Sequence, residues 1–294
     1  MFDSTLRQAL LSHLADRGFN LTGVASAARF DSLAPPGRRL RDRWAGVRSA
    51  VVFATGGHAF WDEVLPRALG RSPAGLDDPI DDYSRHIGLE TLAIVRRHGA
   101  RGKCCHPFGG EEGEGAAGTR RATGDGRRGT ELPNPKPRTP SPGRGGSSPP
   151  PDEAAAISFP RLAEAAGLGA ARTVLGILIH PVYGPWVSLR GALLVDEDLE
   201  PTPAADFDPC PACEKPCLAA CPVSAFHPEL PWDAGACAAH LAASEECHAG
   251  CLSRMACVVG PEHRYSPAEY RHRHRLTVET LLGRAGARRL EAKL

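Results

Sequence analysis

The chain has no excess of charge of either sign. Its 35 lysines and arginines stand against 34 aspartates and glutamates, a formal net charge of +1. So even a balance leaves no global electrostatic footprint for nucleic acid. No apolar run reaches membrane-spanning length, so no membrane partner is expected. The start, MFDSTLRQALLSHLADRGF, is an amphipathic helix pattern and lacks the unbroken apolar core of a secretory leader. Nothing points to an oxidising compartment, so the cysteine usage reads as metal binding in a reducing, cytoplasmic setting. One stretch lacks nearly everything a core needs. From Gly109 to Asp152 there is no aromatic residue and one large aliphatic, Leu132, among Gly, Arg, Glu and then Pro and Ser. Such a segment cannot bury enough apolar surface to offset its ordering entropy. The expectation is a disordered, low-complexity insertion over 109–152, solvated and interrupting a domain whose halves belong together.

What is abundant is cysteine between positions 210 and 257. The stretch opens CPACEKPCLAACP and closes CAAHLAASEECHAGCLSRMACVVG, and it holds eight of the ten cysteines. The opening run is one residue longer than the ferredoxin spacing C-x2-C-x2-C-x3-C-P, because Glu214, Lys215 and Pro216 part its second and third cysteines. A tight loop of this kind presents three sulfurs to one cluster and turns the fourth, followed by Pro222, toward another. Cys210, Cys213, Cys217 and the distant Cys257 are therefore assigned to one [4Fe-4S] cluster, and Cys221, Cys237, Cys247 and Cys251 to a second. Zinc is the competing reading, since C-x2-C pairs are common zinc ligands. Zinc usually takes well-separated pairs, and it leaves the compact third and fourth cysteines unexplained. Cys104 and Cys105, being adjacent, do not easily share one ligand geometry and read as ordinary thiols.

Elsewhere the pattern is that of a mixed fold. Residues 4 to 17 put Leu6, Leu10, Leu11 and Leu14 on one helical stripe. FNLTGVAS alternates as a strand, and SAVVFATGG (49–57) is a buried strand ending in a glycine turn, with Phe60 and Trp61 starting a helix. The glycine pair could cradle a phosphate, but a plain turn is the preferred reading. DDYSRHIGLETLAIVRRHG (81–99) is a helix capped by Asp81 or Asp82, with Ile87, Leu89, Leu92 and Ile94 on its core face and Gly99 at its end. FPRLAEAAGLG is a short helix stopped by Gly167. GILIHPVYGPWVSLRGALLVDEDL reads as two strands joined by a turn. In that turn His180, Tyr183 and Trp186 are candidate cofactor contacts, weighed against a packed corner that satisfies them locally. Ser266-Pro267-Ala268-Glu269 has the form of a capping box for a final basic helix carrying Arg271, Arg273, Arg275, Arg284, Arg288, Arg289 and Lys293. That face would suit RNA or an acidic redox partner, or simply solvent.

With AAGLG (165–169), GILIHP (176–181), YGPWVSLRGALL (183–194) and the eight cysteines in one order, the chain resembles the epoxyqueuosine reductase family and its ferredoxin-like relatives. The resemblance implies an α+β protein. Its parts would be an N-terminal α/β reductase-like domain (1–108 and 153–200) carrying the disordered insertion, a small ferredoxin-like two-cluster domain (201–265) and a C-terminal helix (266–294). It further implies electron delivery through the clusters to a bound cobalamin that reduces an epoxide on a modified tRNA base. The family's catalytic aspartate lies shortly before AGLG, where Asp152 and Glu153 are the candidates here. Several family features are missing. Phe159-Pro160 stands where the family has a Glu-Arg pair, AARTV follows AGLG without the family's Gly-Lys, and Cys257 is followed by valine rather than proline. Three functions follow as expectations. The preferred one is an iron–sulfur redox protein passing electrons between donor and acceptor proteins or small molecules. The others are a cobalamin-dependent epoxyqueuosine reductase acting on tRNA, and a zinc-stabilised binding module.

Overall fold

The computed structural model describes residues 2–107 apart from 75 and 77, then 111–112, 157–228 and 232–291; side chains are described as far as 283. The expected disordered segment 109–152 thus lies, but for two residues, outside the described residues, as do Asp152 and Glu153.

The centre is β2 (Ser49–Gly56), every residue of which is buried. A strand buried on both faces needs an apolar run with little alternation, and SAVVFATG supplies it. β1 (Leu21–Ser26) pairs with one edge of β2, and β5 (Val187–Val195) with the other. β3 (Gly102–Cys105) follows on β5, and the two-residue β4 (Glu111–Glu112) on β3. The order is β1-β2-β5-β3-β4 and every pairing is antiparallel. The mixed α+β class holds, but the sheet has none of the parallel crossovers of an α/β unit.

Helices cover both faces. On one side α1 (Ser4–Asp16) and α5 (Pro79–Arg97) close a core of Leu6, Leu10, Leu14, Phe19, Phe53, Phe60 and Tyr83. Phe19 meets Phe53 edge-on at 5.0 Å, the geometry aromatic quadrupoles favour. On the other side α2 (Ala27–Leu33), α3 (Leu40–Arg43) and α6 (Phe159–Ala165) pack on Ala25, Val52, Ala192 and Leu194. A π-helical turn, Phe60–Val64, leads into α4 (Leu65–Leu69).

Three details differ from the sequence reading. The cap of α5 is Asp78, whose carboxylate accepts from Asp81 N; Pro79 fills the first helical position and moves the start upstream. Leu89 is 46% exposed and belongs to the solvent face. GILIHP forms no strand: only the isolated bridges Ala170–Ile179 and His180–Gly184 occur there, because the chain turns too tightly around Gly184 to pair further.

After β5 the chain runs through proline-rich coil into α7 (Pro216–Ala219), α8 (Ala234–Ala243), α9 (Leu252–Met255) and the long α10 (Pro267–Glu291). The apolar clusters here are small. One joins Ala238, Leu241 and Cys247 to Val278 and Leu281 of α10, and the other gathers Leu175, Ile179, Cys217 and Cys257. No helix among the described residues is long and apolar enough to cross a membrane.

Candidate metal centre

Two left-handed residues, Lys215 (φ 57°) inside the loop from Cys210 to Cys221 and Ser224 (φ 48°) just after it, are the only described non-glycine residues with positive φ. Such backbone costs free energy and persists where its surroundings enforce it. Lys215 belongs to the extra length between Cys213 and Cys217. Folding it back lets Pro216 open α7 and aims the Lys215 N–H at Cys213 Sγ, 3.3 Å away. One turn later Ala225 N donates to Cys221 Sγ at 3.2 Å.

The thiols fall into two neighbourhoods. Burial pushes the Cys217 thiol above its usual range, and Cys257, Cys210 and Cys213 push it further. These four line one cavity together with Leu175, Ile179 and Val259. Around Cys237, burial first and then Cys251, Cys221 and Cys247 push the thiol up to about 11. Burial also raises Cys257 and Cys247, but backbone amides oppose it: Val259 and Val258 donate to the first, Leu252 to the second. Four thiols crowded in a poorly solvated pocket resist ionising unless a cation joins them. Amide hydrogen bonds to the sulfurs are what a bound thiolate requires. The residues therefore fit a thiolate-held metal group.

Among the described residues no three His, Cys, Asp or Glu side chains are set to hold a single ion.

α10 holds the second neighbourhood to the sheet domain. Tyr270 accepts from Cys251 N at 3.0 Å and donates to Cys251 O at 3.2 Å. Its ring stands edge-on to Trp186, as does that of Tyr265, and Arg254 lies over all three. One turn along, Glu269 and Arg273 form a buried pair at 2.7 Å, with Arg273 over the Tyr265 ring at 4.6 Å. Glu269 is wholly buried, and burial pushes its carboxyl up to about 7 despite Arg273. Ser266 Oγ caps α10 by accepting from Glu269 N. The other half of the capping box is missing because the Glu269 side chain is taken by Arg273. Neither Tyr270 nor the Glu269–Arg273 pair was picked out from the sequence, although RYSPAEYRHR is unusually dense in aromatic and basic residues for a surface helix.

The aromatic corner is spoken for. His180 Nδ1 accepts from Val182 N and Tyr183 N, and burial first and then His263 lower the ring's pKa to about 4. The Tyr183 ring lies on the Gly56–Gly57 turn, and its hydroxyl accepts from Asn20 Nδ2 at 3.1 Å. Trp186 is 0% exposed. Local hydrogen bonds and packing thus engage all three. Cys104 is a buried core thiol, 3.5 Å from His106 Nε2, and Cys105 is buried beside it.

No protein-family model and no curated protein matches the chain. Solved structures do. An epoxyqueuosine reductase crystallised with an epoxyqueuosine-modified tRNA-Tyr stem loop superposes with a TM-score of 0.54 at 16% identity, over 89% of this chain and 67% of that one. A selenomethionine-labelled epoxyqueuosine reductase gives 0.53 at 17%, over 90% and 70%. The enzyme from Streptococcus thermophilus gives 0.52 at 14%, over 86% and 66%. The chain is thus similar in fold to epoxyqueuosine reductases and spans about two thirds of their length.

Proposed function

We propose that the protein is an iron–sulfur redox protein that binds two [4Fe-4S] clusters and passes single electrons to an acceptor held beside the first. One observation carries the reading: the gathering of eight thiols into two fours, each crossing the loop between Cys221 and Cys237 or spanning it. Cys210, Cys213, Cys217 and Cys257 would hold one cluster, and Cys221, Cys237, Cys247 and Cys251 the other. When bound, each cluster supplies one-electron chemistry. The chain's own part is to keep the sulfurs dry with Leu175, Ile179, Ala238 and Leu241, and to direct the amides of Lys215, Ala225, Leu252, Val258 and Val259 at them. Such amides favour the more reduced state by offsetting negative charge on sulfur.

The fold favours one alternative, a cobalamin-dependent epoxyqueuosine reductase acting on tRNA. It needs an acid near the corrinoid, for which Asp152 and Glu153 are the candidates, and a basic face such as that of α10. Anaerobic purification with iron, sulfide and corrinoid counts separates these readings. About eight irons per chain with broad visible absorption bleached by dithionite supports the redox protein. Added stoichiometric corrinoid supports the reductase. Stoichiometric zinc, or colourless folded protein, sinks both.

A further inference from the structure

Beside the first group of thiols lies a cleft of ≈ 580 Å³ whose lining includes Arg161, Arg172, Lys215, Asp208, Thr173 and Cys210. Its size falls within the roughly 300–1,000 Å³ of small-molecule sites. Three cations face one carboxylate, so the cleft is net positive in a chain that is nearly neutral overall. Arg161, on α6, and Arg172, just after the AGLG turn, are both exposed, and neither makes an ion pair among the described residues. Two unpaired guanidiniums across a concave wall are pre-arranged forks for phosphate or carboxylate oxygens.

Lys215 ties this cleft to the thiols, since it lines both the cleft and the cavity of Cys210, Cys213, Cys217 and Cys257. Its left-handed backbone puts N–H on Cys213 Sγ, and Nζ lies 3.3 Å from Cys213 O. Cys210 and Val174 are also common to both walls. The sulfur group and the cleft therefore share one thin partition. Lys215 stands in the residue by which C-x3-C exceeds C-x2-C, and Arg172 stands where AARTV replaces the resembled family's Gly-Lys. Two of the three side chains that make the cleft cationic thus come with this chain's own departures.

We propose that this cleft is a binding site for a small phosphate-bearing molecule of nucleotide size, recognised by Arg161, Arg172 and Lys215. The corrinoid reading fits less well here, because the volume is that of a drug-sized ligand and the aromatic corner is already occupied by its own packing. The site's redox meaning rests on the iron–sulfur reading; its anion recognition does not.

The test is calorimetry on the full anaerobic chain with inorganic pyrophosphate at fixed ionic strength, with iron counted on the same samples. One pyrophosphate per chain is expected, bound at least tenfold more weakly by the Arg161→Glu/Arg172→Glu double variant and several-fold more weakly by Lys215→Met. Both arginines are exposed, so circular dichroism should find the double variant folded. No binding at millimolar pyrophosphate overturns the proposal, as does binding that the variants leave unchanged. Hydroxocobalamin that binds stoichiometrically and displaces pyrophosphate also overturns it, by making the cleft a corrinoid site. Pyrophosphate binding intact in protein without iron leaves this site standing and removes the redox reading instead.

Discussion

Replacing Gly184 with alanine should unload the first cluster site while leaving the sheet domain folded. Gly184 sits at φ 56°, and an added Cβ would stand 1.9 Å from the carbonyl oxygen of Val259, where about 3.0 Å is the practical floor. The partner is backbone and cannot swing aside, so the 182–184 turn and the Val258–Gly260 loop must part by about 1 Å. The left-handed conformation alone costs a non-glycine residue roughly 1–2 kcal/mol. The larger effect is chemical. The Val258 and Val259 amides donate to the Cys257 sulfur, and a hydrogen bond to a charged group contributes about 1.5–3 kcal/mol. Losing one of them with the strain gives about 3–4 kcal/mol at one site, several hundred-fold in its opening equilibrium. Iron should fall from about eight toward about four per chain, with far-ultraviolet circular dichroism unchanged. Gly99→Ala is the control: φ is +80° and nothing lies within 4 Å of the added Cβ, so it carries the backbone cost without the clash. Full iron and an unchanged chelator-bleaching rate in Gly184→Ala would refute the coupling between this turn and Cys257.

Three further outcomes follow from the same geometry. Glu269, raised from 4.5 to about 7 by burial, contributes stability that is present in acid and lost as pH rises through 7, worth about 3 kcal/mol. Hydrogen exchange of α10, corrected for intrinsic rates, should show more opening at pH 8 than at pH 5.5 in the wild type, and Glu269→Gln should flatten that difference. His272 and His274, lowered by burial, act below their usual range in both proteins and cancel in the comparison. Tyr270→Phe leaves the Cys251 amide without its partner, a cost of about 1–3 kcal/mol. A chelator should then strip the second cluster faster and the first at its wild-type rate; equal acceleration of both would show Tyr270 to be general packing. Complete removal of iron should open 201–265 to trypsin while the β1–β5 sheet survives, because the apolar clusters around the cysteines are small and those on the sheet are large. A cysteine region equally resistant without iron would contradict that.

Much of this protein is legible along the chain, because the signals are local. The all-buried β2 follows from an apolar run without alternation, α1 from leucines on one stripe, and the stop of α6 from Gly167. The stretch that gathers eight thiols is marked by cysteine density alone. Errors fell where a neighbour outvoted a local pattern. GILIHP has strand composition yet pairs only through isolated bridges, and Leu89 has core chemistry but faces water. The corner of His180, Tyr183 and Trp186 is no such error: along the chain it reads as binding site or packed corner, and the contacts with Gly56, Asn20, Tyr265 and Tyr270 are visible only in the tertiary structure.

Composition and spacing by themselves determined the element types, the near-neutral surface and the place where sulfur chemistry is concentrated, since each depends on residues a few positions apart. Tertiary structure alone decided that the described sheet is antiparallel throughout, that Tyr270 ties α10 to the Cys251 loop, that Glu269 and Arg273 meet as a buried pair, and that Lys215 divides a cationic cleft from four thiols. Those facts depend on burial and on contacts between separate elements, and no local periodicity records such a meeting.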